Sequence, residues 1–119
     1  MSREFTKTVI ALIDARDAAG FSRLFAEQGR LQFPNGDPLI GPAVIEARLK
    51  GFFAAVKGLQ HTVLNEWTEG SDTIAELSVD YHGIYGRTIT IRAVSIWRID
   101  GAGLIDSYRL YCDLAPVFL

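Results

Sequence analysis

A change in the spacing of apolar residues near Gln60 constrains the fold of this chain most strongly. Before that point, apolar residues recur at helical spacing, first from Phe5 and again after Pro42. After it they alternate with polar residues in four stretches of about ten residues each, which predict strands over 61–68, 73–82, 87–99 and 104–113. The sequence therefore predicts an α+β domain in which a meander of strands turns one apolar face toward helices.

The N-terminal half predicts three helices and one short strand. Residues 31–33 form the predicted strand, which ends in the turn-rich stretch 34–38. Pro42 favours the first turn of a helix because its fixed φ suits that position and its missing N–H has no partner there. The predicted helices cover about 2–13, Ala18 to Ala26 and Pro42 to about Val56.

Composition limits the partners that this chain is expected to have. With 119 residues, 49% of them apolar, the chain is long enough for one domain over 1–119 with its own core. The net charge of −2 is spread over both signs, which argues against nucleic acid and anionic membrane as partners. No apolar run approaches the roughly 20 residues that a membrane span needs.

The cysteine and histidine content predicts a cytoplasmic protein without a metal or cofactor. Cys112 is the single cysteine and cannot form an internal disulfide, and the N-terminus has no signal-peptide pattern. The two histidines lack metal-ligand spacing relative to each other and to the cysteine. Phosphate loops, dinucleotide fingerprints and catalytic triads are not recognisable as sequence patterns.

Five short motifs accompany this order of elements. They are Leu-Phe-Ala at 24–26, Gly-Pro-Ala-Val-Ile at 41–45, Gly-Arg-Thr-Ile-Thr-Ile at 86–91, Ile-Asp-Gly-Ala-Gly-Leu-Ile at 99–105 and Arg-Leu-Tyr-Cys-Asp at 109–113. Together they resemble the SnoaL-like proteins of the nuclear transport factor 2-like superfamily over nearly the whole chain. The resemblance implies a cone-shaped, curved antiparallel sheet (a half-barrel) packed on three N-terminal helices around one pocket. Because members of that superfamily catalyse several unrelated reactions or only bind, the resemblance implies no single activity.

The resemblance also identifies roles that this chain lacks. When the sequence is aligned with the ketosteroid isomerase pattern, Val9 falls at the catalytic tyrosine, Phe33 at the aspartate base and Ser95 at the carboxylic acid of the oxyanion hole. The acidic residue in the final strand of the cyclases falls near Leu110. Chemistry of that isomerase type is therefore not expected.

The last predicted hairpin supplies most of the expected pocket. A four-residue loop over 100–103 gives the opposed pairs Ile99 with Leu104, Trp97 with Asp106, Ser95 with Tyr108, Ala93 with Leu110 and Ile91 with Cys112. This face is the more apolar one, so it is expected to face the helices. The opposite face is still too apolar for full exposure, with Val94, Ile96, Ile105 and Tyr111, and predicts a homodimer interface on the outer side of the sheet.

The two preceding strands leave alternatives open. A three-residue loop over 84–86 turns Leu77, Val79 and Tyr81 toward the pocket, whereas a two-residue loop over 85–86 turns in Ser78, Asp80 and His82. Apolar matching favours the first register, because buried Asp80 and His82 would cost several kcal/mol unless paired. In the strand from His61, the expected inner residues are His61, Val63, Asn65 and Trp67.

Three residues are candidates for catalysis. Asp106 beside the Trp97 indole would serve as an acid or base, or else is a solvated residue near the hairpin end. Tyr108, with Ser95, would orient a ligand oxygen, or the two hydroxyls satisfy each other. His61 is a candidate general base, or a rim histidine bonded to backbone.

The expected ligand is a small, mostly apolar organic molecule. The residues expected to bind it are Phe25, Phe33, Phe53, Val63, Tyr81, Ser95, Trp97, Leu110 and Cys112. Two functions are compatible with such a pocket. One is a cofactor-free acid/base enzyme, which could be an isomerase, dehydratase, cyclase or hydrolase. The other is a non-catalytic domain that binds a ligand or a protein through the pocket or the outer sheet face.

Overall fold

The computed structural model describes residues 2–83 and 86–118. Its helices are α1 (Ser2–Asp14), α2 (Ala18–Ser22), α3 (Pro42–Ala54) and a short 3₁₀ helix, η1 (Ala115–Val117). Its strands are β1 (Phe25–Gln32), β2 (Leu39–Ile40), β3 (Gly58–Glu69), β4 (Asp72–His82), β5 (Thr88–Ile99) and β6 (Ile105–Cys112). In the part of the chain described, none of the helices is both long and apolar enough to cross a membrane.

One open sheet of six strands packs with a single face on the helices, in the order β2-β1-β6-β5-β4-β3. The predicted α+β fold is confirmed. The sheet is mixed, however, because β1 runs parallel to β6 while the other neighbours are antiparallel. The expectation of a wholly antiparallel sheet is therefore wrong at β1.

Strand β1 begins well before its predicted start, and helix α2 is correspondingly shorter than predicted. The Leu24 carbonyl accepts the Ile105 N–H at 2.8 Å, and Phe25 pairs with Ile105. Gly29 allows this approach, because a Cβ at that position would lie 2.6 Å from the Ile105 carbonyl oxygen. Pairing with β6 thus prevails over the helical pattern that extends to Ala26 in the sequence.

The hairpin between β4 and β5 adopts the apolar register. Tyr81 pairs with Ile89, Val79 with Ile91 and Leu77 with Ala93. Gly86 has a φ of 79°, as the three-residue loop requires, and Ile84 and Tyr85 lie outside the described residues. The alternative register is wrong. Asp80 and His82 lie on the outer face, where each bonds a threonine of β5.

A bulge in β3 changes which residues face the helices. Val63 pairs with Leu77, but the register then shifts and Asn65 pairs with Glu76 and Trp67 with Ile74. Asn65 and Trp67 therefore share the outer face, and Trp67 is exposed. The prediction that both face inward is wrong because it assumed unbroken alternation.

A second bulge, in β6, contradicts the predicted pairing of the last hairpin. Trp97 pairs with Tyr108, Ser95 with Leu110 and Ala93 with Cys112. One residue of the difference comes from the loop, because Ile99 pairs with Ile105 and not with Leu104, and one more comes from the bulge. The register is therefore two residues away from the predicted one, so Ser95 and Tyr108 still face the helices. The bulge lies where Ile99 pairs with Ile105 and Arg98 with Ser107, which leaves Asp106 without a partner in the pairing.

Aromatic rings fill the core at the end of the sheet nearest the hairpin loop 100–103. The Trp97 indole stacks on the Tyr108 ring with centroids 5.5 Å apart and planes 15° apart, and Phe5 of α1 packs at 6.4 Å from the indole. Trp97 is 2% exposed. These rings fill the interior between Phe5 of α1 and Tyr108 of β6.

Candidate functional site

A small cavity lies between the inner face of the sheet and the helices. The space open to the centre of a water-sized sphere is about 50 Å³, which is room for roughly three to five water molecules. Most of the wall is apolar, and polar side-chain atoms come from four residues. The lining residues are Ile13, Phe21, Leu31, Phe33, Leu49, Phe52, Phe53, Leu59, His61, Val79, Tyr81, Ala93, Ser95, Tyr108 and Leu110.

His61 and Asp14 form a close pair at the wall of this cavity. The His61 Nδ1 lies 2.6 Å from Asp14 Oδ1, and both carboxylate oxygens accept the backbone N–H of His61 at 3.1 Å. The last residue of α1 is thereby joined to β3. The His61 side chain is 8% exposed, so its orientation is held by burial as well as by these bonds.

The carboxylate also selects the tautomer of the neutral imidazole. An ionised carboxylate only accepts hydrogen bonds, so Nδ1 carries the proton and donates it to Asp14. Nε2 then has a free lone pair on the opposite side of the ring. Among the hydrogen bonds of the described residues none involves His61 Nε2, and the ring itself lines the cavity. The arrangement is that of a base held in position by a carboxylate.

The hydroxyls of Tyr108 and Ser95 are joined deep in the same wall. Tyr108 Oη donates to Ser95 Oγ at 3.0 Å, and both residues are buried. Burial raises the pKa of Tyr108 to about 12, although the hydrogen bond to Ser95 lowers it. Because Ser95 Oγ accepts from Tyr108, its own proton remains available for another acceptor.

Tyr81 supplies a third hydroxyl to the cavity. Its ring packs edge-on against Phe52, and the residue is 4% exposed. Burial raises the pKa of Tyr81 well above its ordinary value, and the nearby Cys112, Tyr108 and Asp14 raise it further. The phenol therefore stays protonated and acts as a hydrogen-bond donor rather than as a base.

Seven of the residues predicted from the sequence line the cavity together. Two of them, His61 and Tyr108, were candidates for catalysis. The other five were candidates for ligand binding, namely Phe33, Phe53, Tyr81, Ser95 and Leu110. All of them lie on α3, near the end of β1, or at positions of β3 to β6 whose inward direction was predicted correctly.

Four predicted ligand-binding residues lie elsewhere. Phe25 is buried against Phe21 and Tyr108, and Trp97 is buried in the aromatic stack. Val63 lies on β3, the edge strand of the sheet, and is 41% exposed. Cys112 lines a neighbouring depression on the surface, and burial, together with Asp113, raises the pKa of its thiol to about 11. Its thiol is therefore protonated at neutral pH and a poor nucleophile.

Asp106 is also outside the cavity. Ile105 is completely buried, and the Asp106 side chain lies on the outer side of the sheet. There it lines a polar groove that also contains Arg30, Asp72, Arg98 and Arg109. The predicted position opposite Trp97 is wrong, because Ile99 pairs with Ile105 and not with Leu104, and this shift of one residue reverses the face on which Asp106 lies.

Asp14 is the functional candidate that the sequence pattern did not reveal. It ends the apolar stripe of α1 directly after Ile13, where a carboxylate is typical of a helix that terminates in solvent. The relevant partner is 47 residues away in the chain. The remaining lining residues that were not predicted are apolar, and their helical or alternating spacing marks them only as core.

No cluster of three or more metal-ligating side chains occurs among residues 2–83 and 86–118. The His61–Asp14 pair offers two ligands at most. The side chains of this wall can transfer protons and form hydrogen bonds.

Residues 6–108 match the family model of the SnoaL-like domain. The chain belongs to the SnoaL-like family. Among curated proteins, none matches the sequence of this SnoaL-like protein significantly.

Solved structures agree with this assignment at the level of the fold. A protein with a ketosteroid isomerase-like fold from Catenulispora acidiphila, in complex with trimethylamine, has a TM-score of 0.87 at 18% identity, covering 96% of this chain and 88% of that one. An NTF2-like protein of unknown function from Burkholderia pseudomallei has a TM-score of 0.85 at 16% identity, covering 96% and 92%. TerC, co-crystallised with polyporic acid, has a TM-score of 0.82 at 17% identity, covering 95% and 92%. Some proteins of this fold thus bind small molecules. At these low identities, the comparison supports only a shared fold for the SnoaL-like protein.

Proposed function

We propose that this protein is a cofactor-free acid/base enzyme that acts on a small, mostly apolar molecule, with His61 as the general base. One observation carries the proposal, the 2.6 Å contact between His61 Nδ1 and the Asp14 carboxylate at the wall of an apolar cavity. A carboxylate in this position fixes the ring and stabilises the imidazolium that forms when Nε2 accepts a proton. Asp14 is thus a positioning residue.

The hydroxyls in the cavity suit a substrate that carries an oxygen. His61 Nε2 removes a proton from the carbon beside a carbonyl, and the electrons of that C–H bond move to the carbonyl oxygen as an enolate. Tyr81 and Ser95 supply protons for hydrogen bonds to that oxygen, and the raised pKa of Tyr81 keeps it in the donating form. The imidazolium then returns the proton to carbon, at the same or another position, so isomerisation is the simplest overall reaction.

Solvent exchange tests this proposal without knowledge of the natural substrate. In D₂O, the wild-type protein is expected to speed deuterium incorporation beside the carbonyl of cyclopentanone or cyclohexanone, followed by proton NMR. His61→Gln should reduce the catalysed rate about 10²- to 10⁴-fold, the usual contribution of a general base. His82→Gln, a change of the exposed histidine on the outer face, is the matched control and should retain the rate. Catalysis that survives His61→Gln would contradict the assignment.

A non-catalytic binding protein is the second candidate, and the apolar lining favours it. Tyr108 and Ser95 satisfy one another in the absence of a ligand, so the cavity needs no reaction to account for them. In this case, small apolar molecules raise the melting temperature of the wild-type protein and of His61→Gln equally, and neither protein speeds the exchange of ketone protons.

We propose further that two copies of the chain associate through the outer sheet face. Half-buried and exposed apolar side chains occupy its middle, namely Ile74, Val94, Ile96 and Tyr111. Asp72, Glu76 and Asp80 lie on β4, and Arg92, Arg98 and Arg109 lie on β5 and β6. Asp106 of β6 also lines this face, and Asp72 is paired with Arg98 at 3.2 Å. A two-fold axis could bring the acidic row of one copy onto the basic rows of the other.

Light scattering after size-exclusion chromatography tests this association. The expected mass is twice the 13.1 kDa of one chain. Arg109→Glu places a like charge among the acidic side chains and should give the monomer mass, whereas Arg23→Glu, at an exposed arginine of the segment after α2, should keep the dimer mass. A wild-type protein that elutes with the monomer mass at tens of micromolar contradicts the proposal.

The cellular location is likewise a proposal. Cys112 is a free cysteine with a protonated thiol, which suits a reducing compartment. We therefore propose a cytoplasmic location. We also propose that residues 1–119 form one domain. A fusion to a fluorescent protein that localises outside the cytoplasm would refute the assignment.

A further inference from the structure

A surface depression adjoins the cavity and shares two aromatic residues with it. Phe33 and Phe52 line both spaces, and their ring centroids are 6.1 Å apart. In the depression, the space open to the centre of a water-sized sphere is about 350 Å³, and the depression is open to solvent. Phe118 packs edge-on against Phe52 on this side. The Phe33–Phe52 pair therefore separates the His61 wall from a wider outer space that also contains charged side chains.

Arg48 of α3 is the cation of this outer depression. Its guanidinium carbon lies 6.0 Å from the centroid of Phe33, so the fork is held over one ring of the partition. The nearest acidic residue on α3, Glu46, is bound to Lys50 at 3.1 Å. No ion pair among the described residues includes Arg48. The N–H donors of its guanidinium are thus left for a ligand.

The depression also contains a carboxylate, that of Asp113. Its Oδ1 accepts the backbone N–H of Ala115 at 3.0 Å, a bond that holds the turn into η1. That bond leaves the other carboxylate oxygen free, so the depression carries one negative and one positive group. The two groups differ in position, because the exposed Arg48 guanidinium lies over Phe33, a ring that the depression shares with the cavity, and an anionic group bound to it would lie at the cavity entrance.

We infer that Arg48 recognises a carboxylate on the substrate while the apolar body passes between Phe33 and Phe52 toward His61. The planar guanidinium matches a carboxylate with two parallel N–H···O bonds, and its place over Phe33 fixes that group at the cavity entrance. The substrate class is then an amphiphilic acid whose reactive carbon is separated from the carboxylate by an apolar segment. This inference rests on the cavity as the ligand site of the proposed function, but it does not require turnover.

Matched linear probes of one chain length test the inference by binding alone. Octanoate, octanamide, 1-octanol and octylamine are titrated into the wild-type protein by isothermal calorimetry at low ionic strength. Octanoate is expected to bind about fivefold more tightly than octanamide, the factor for a partly exposed charged pair. Arg48→Gln should remove that preference and leave octanamide binding unchanged, and Arg23→Gln, the exposed control arginine, should keep it.

The outcomes separate this inference from the proposed function. His61→Gln should retain the preference for octanoate, since the base is not part of the recognition, even though it abolishes the exchange of ketone protons. Four results overturn the inference. They are a wild-type protein that binds none of the probes or binds octanoate and octanamide equally, a preference for octylamine, and a preference for octanoate that persists in Arg48→Gln.

Discussion

The hydrogen bond between Tyr108 and Ser95 predicts an unequal response to the removal of its two partners. Both residues are buried, and the Oη to Oγ distance is 3.0 Å. Ser95→Ala leaves a buried phenol without its acceptor, which should lower the free energy of unfolding by about 2 kcal/mol. Tyr108→Phe removes the donor and leaves a small hydroxyl beside the cavity, where water is a substitute partner, so about 1 kcal/mol is expected.

The double variant decides whether the bond itself is responsible. With both hydroxyls removed, no buried polar group is left unpaired, so the loss should be only about 1 kcal/mol instead of the summed 3 kcal/mol. For a chain of 119 residues, 1 kcal/mol corresponds to about 4 °C in melting temperature. The expected decreases are therefore about 8 °C for Ser95→Ala and about 4 °C each for Tyr108→Phe and the double variant.

The assay is thermal and urea unfolding of the four proteins, followed by circular dichroism. Equal urea m-values are needed for the comparison, because a changed m-value indicates a changed unfolded or native state. Additive losses, with the double variant near 12 °C below the wild type, would refute the reasoning. They would mean that each hydroxyl is separately solvated in the cavity and that the bond between them contributes little.

Three further predictions concern pH, backbone packing and thiol chemistry. Burial raises the pKa of Tyr108 in the folded protein from 10 to about 12. The free energy of unfolding should therefore not depend on this group below pH 10 and should fall by up to roughly 3 kcal/mol as the pH rises to 12. Over the same pH range, the urea midpoint of Tyr108→Phe should fall less than that of the wild type. Gly29→Ala should cost about 2 kcal/mol or more because its Cβ meets the Ile105 carbonyl oxygen, whereas Gly101→Ala, which meets nothing within 4 Å, should unfold within about 0.5 kcal/mol of the wild type. Iodoacetamide at pH 8 should label Cys112 markedly more slowly in the folded protein than in urea, since burial raises the pKa of the thiol to about 11; equal rates would contradict the assigned environment.

Alternation was sufficient to predict the part of the sheet in which it is unbroken. In β4 the side chains alternate regularly between buried and half-buried, and the pairing with β5 follows from matching Val79 and Tyr81 with isoleucines. The inner position of Ser95 also follows from alternation, and it survives the wrong register of the last hairpin because an error of two residues preserves the face. The fold class could thus be predicted from periodicity alone.

Bulges and distant side-chain pairs could not be predicted in this way. The bulge after Val63 moves Trp67 outward, and the pairing of Ile99 with Ile105 moves Asp106 outward, although no glycine or proline in the sequence marks either place. The bulge in β6 is explained by tertiary structure, since Ile105 pairs with Phe25 of the parallel strand β1. The Asp14–His61 pair depends on the end of α1 meeting β3, which is a property of helix packing and not of either local sequence.

Aromatic rings at both ends of the cavity determine how a ligand reaches His61. The Trp97–Tyr108 stack fills the interior on the hairpin side, and Phe5 of α1 packs against the indole. The opposite end is closed by the Phe33–Phe52 pair. On the far side of this pair lies the surface depression, which is open to solvent. A molecule larger than the few waters that fit the cavity must displace these two half-buried side chains, and for Phe52 that means breaking its ring contact with Phe118 on the side of the depression. Access and recognition then occur at the same place, because the ring that has to move is the one on which the Arg48 guanidinium lies.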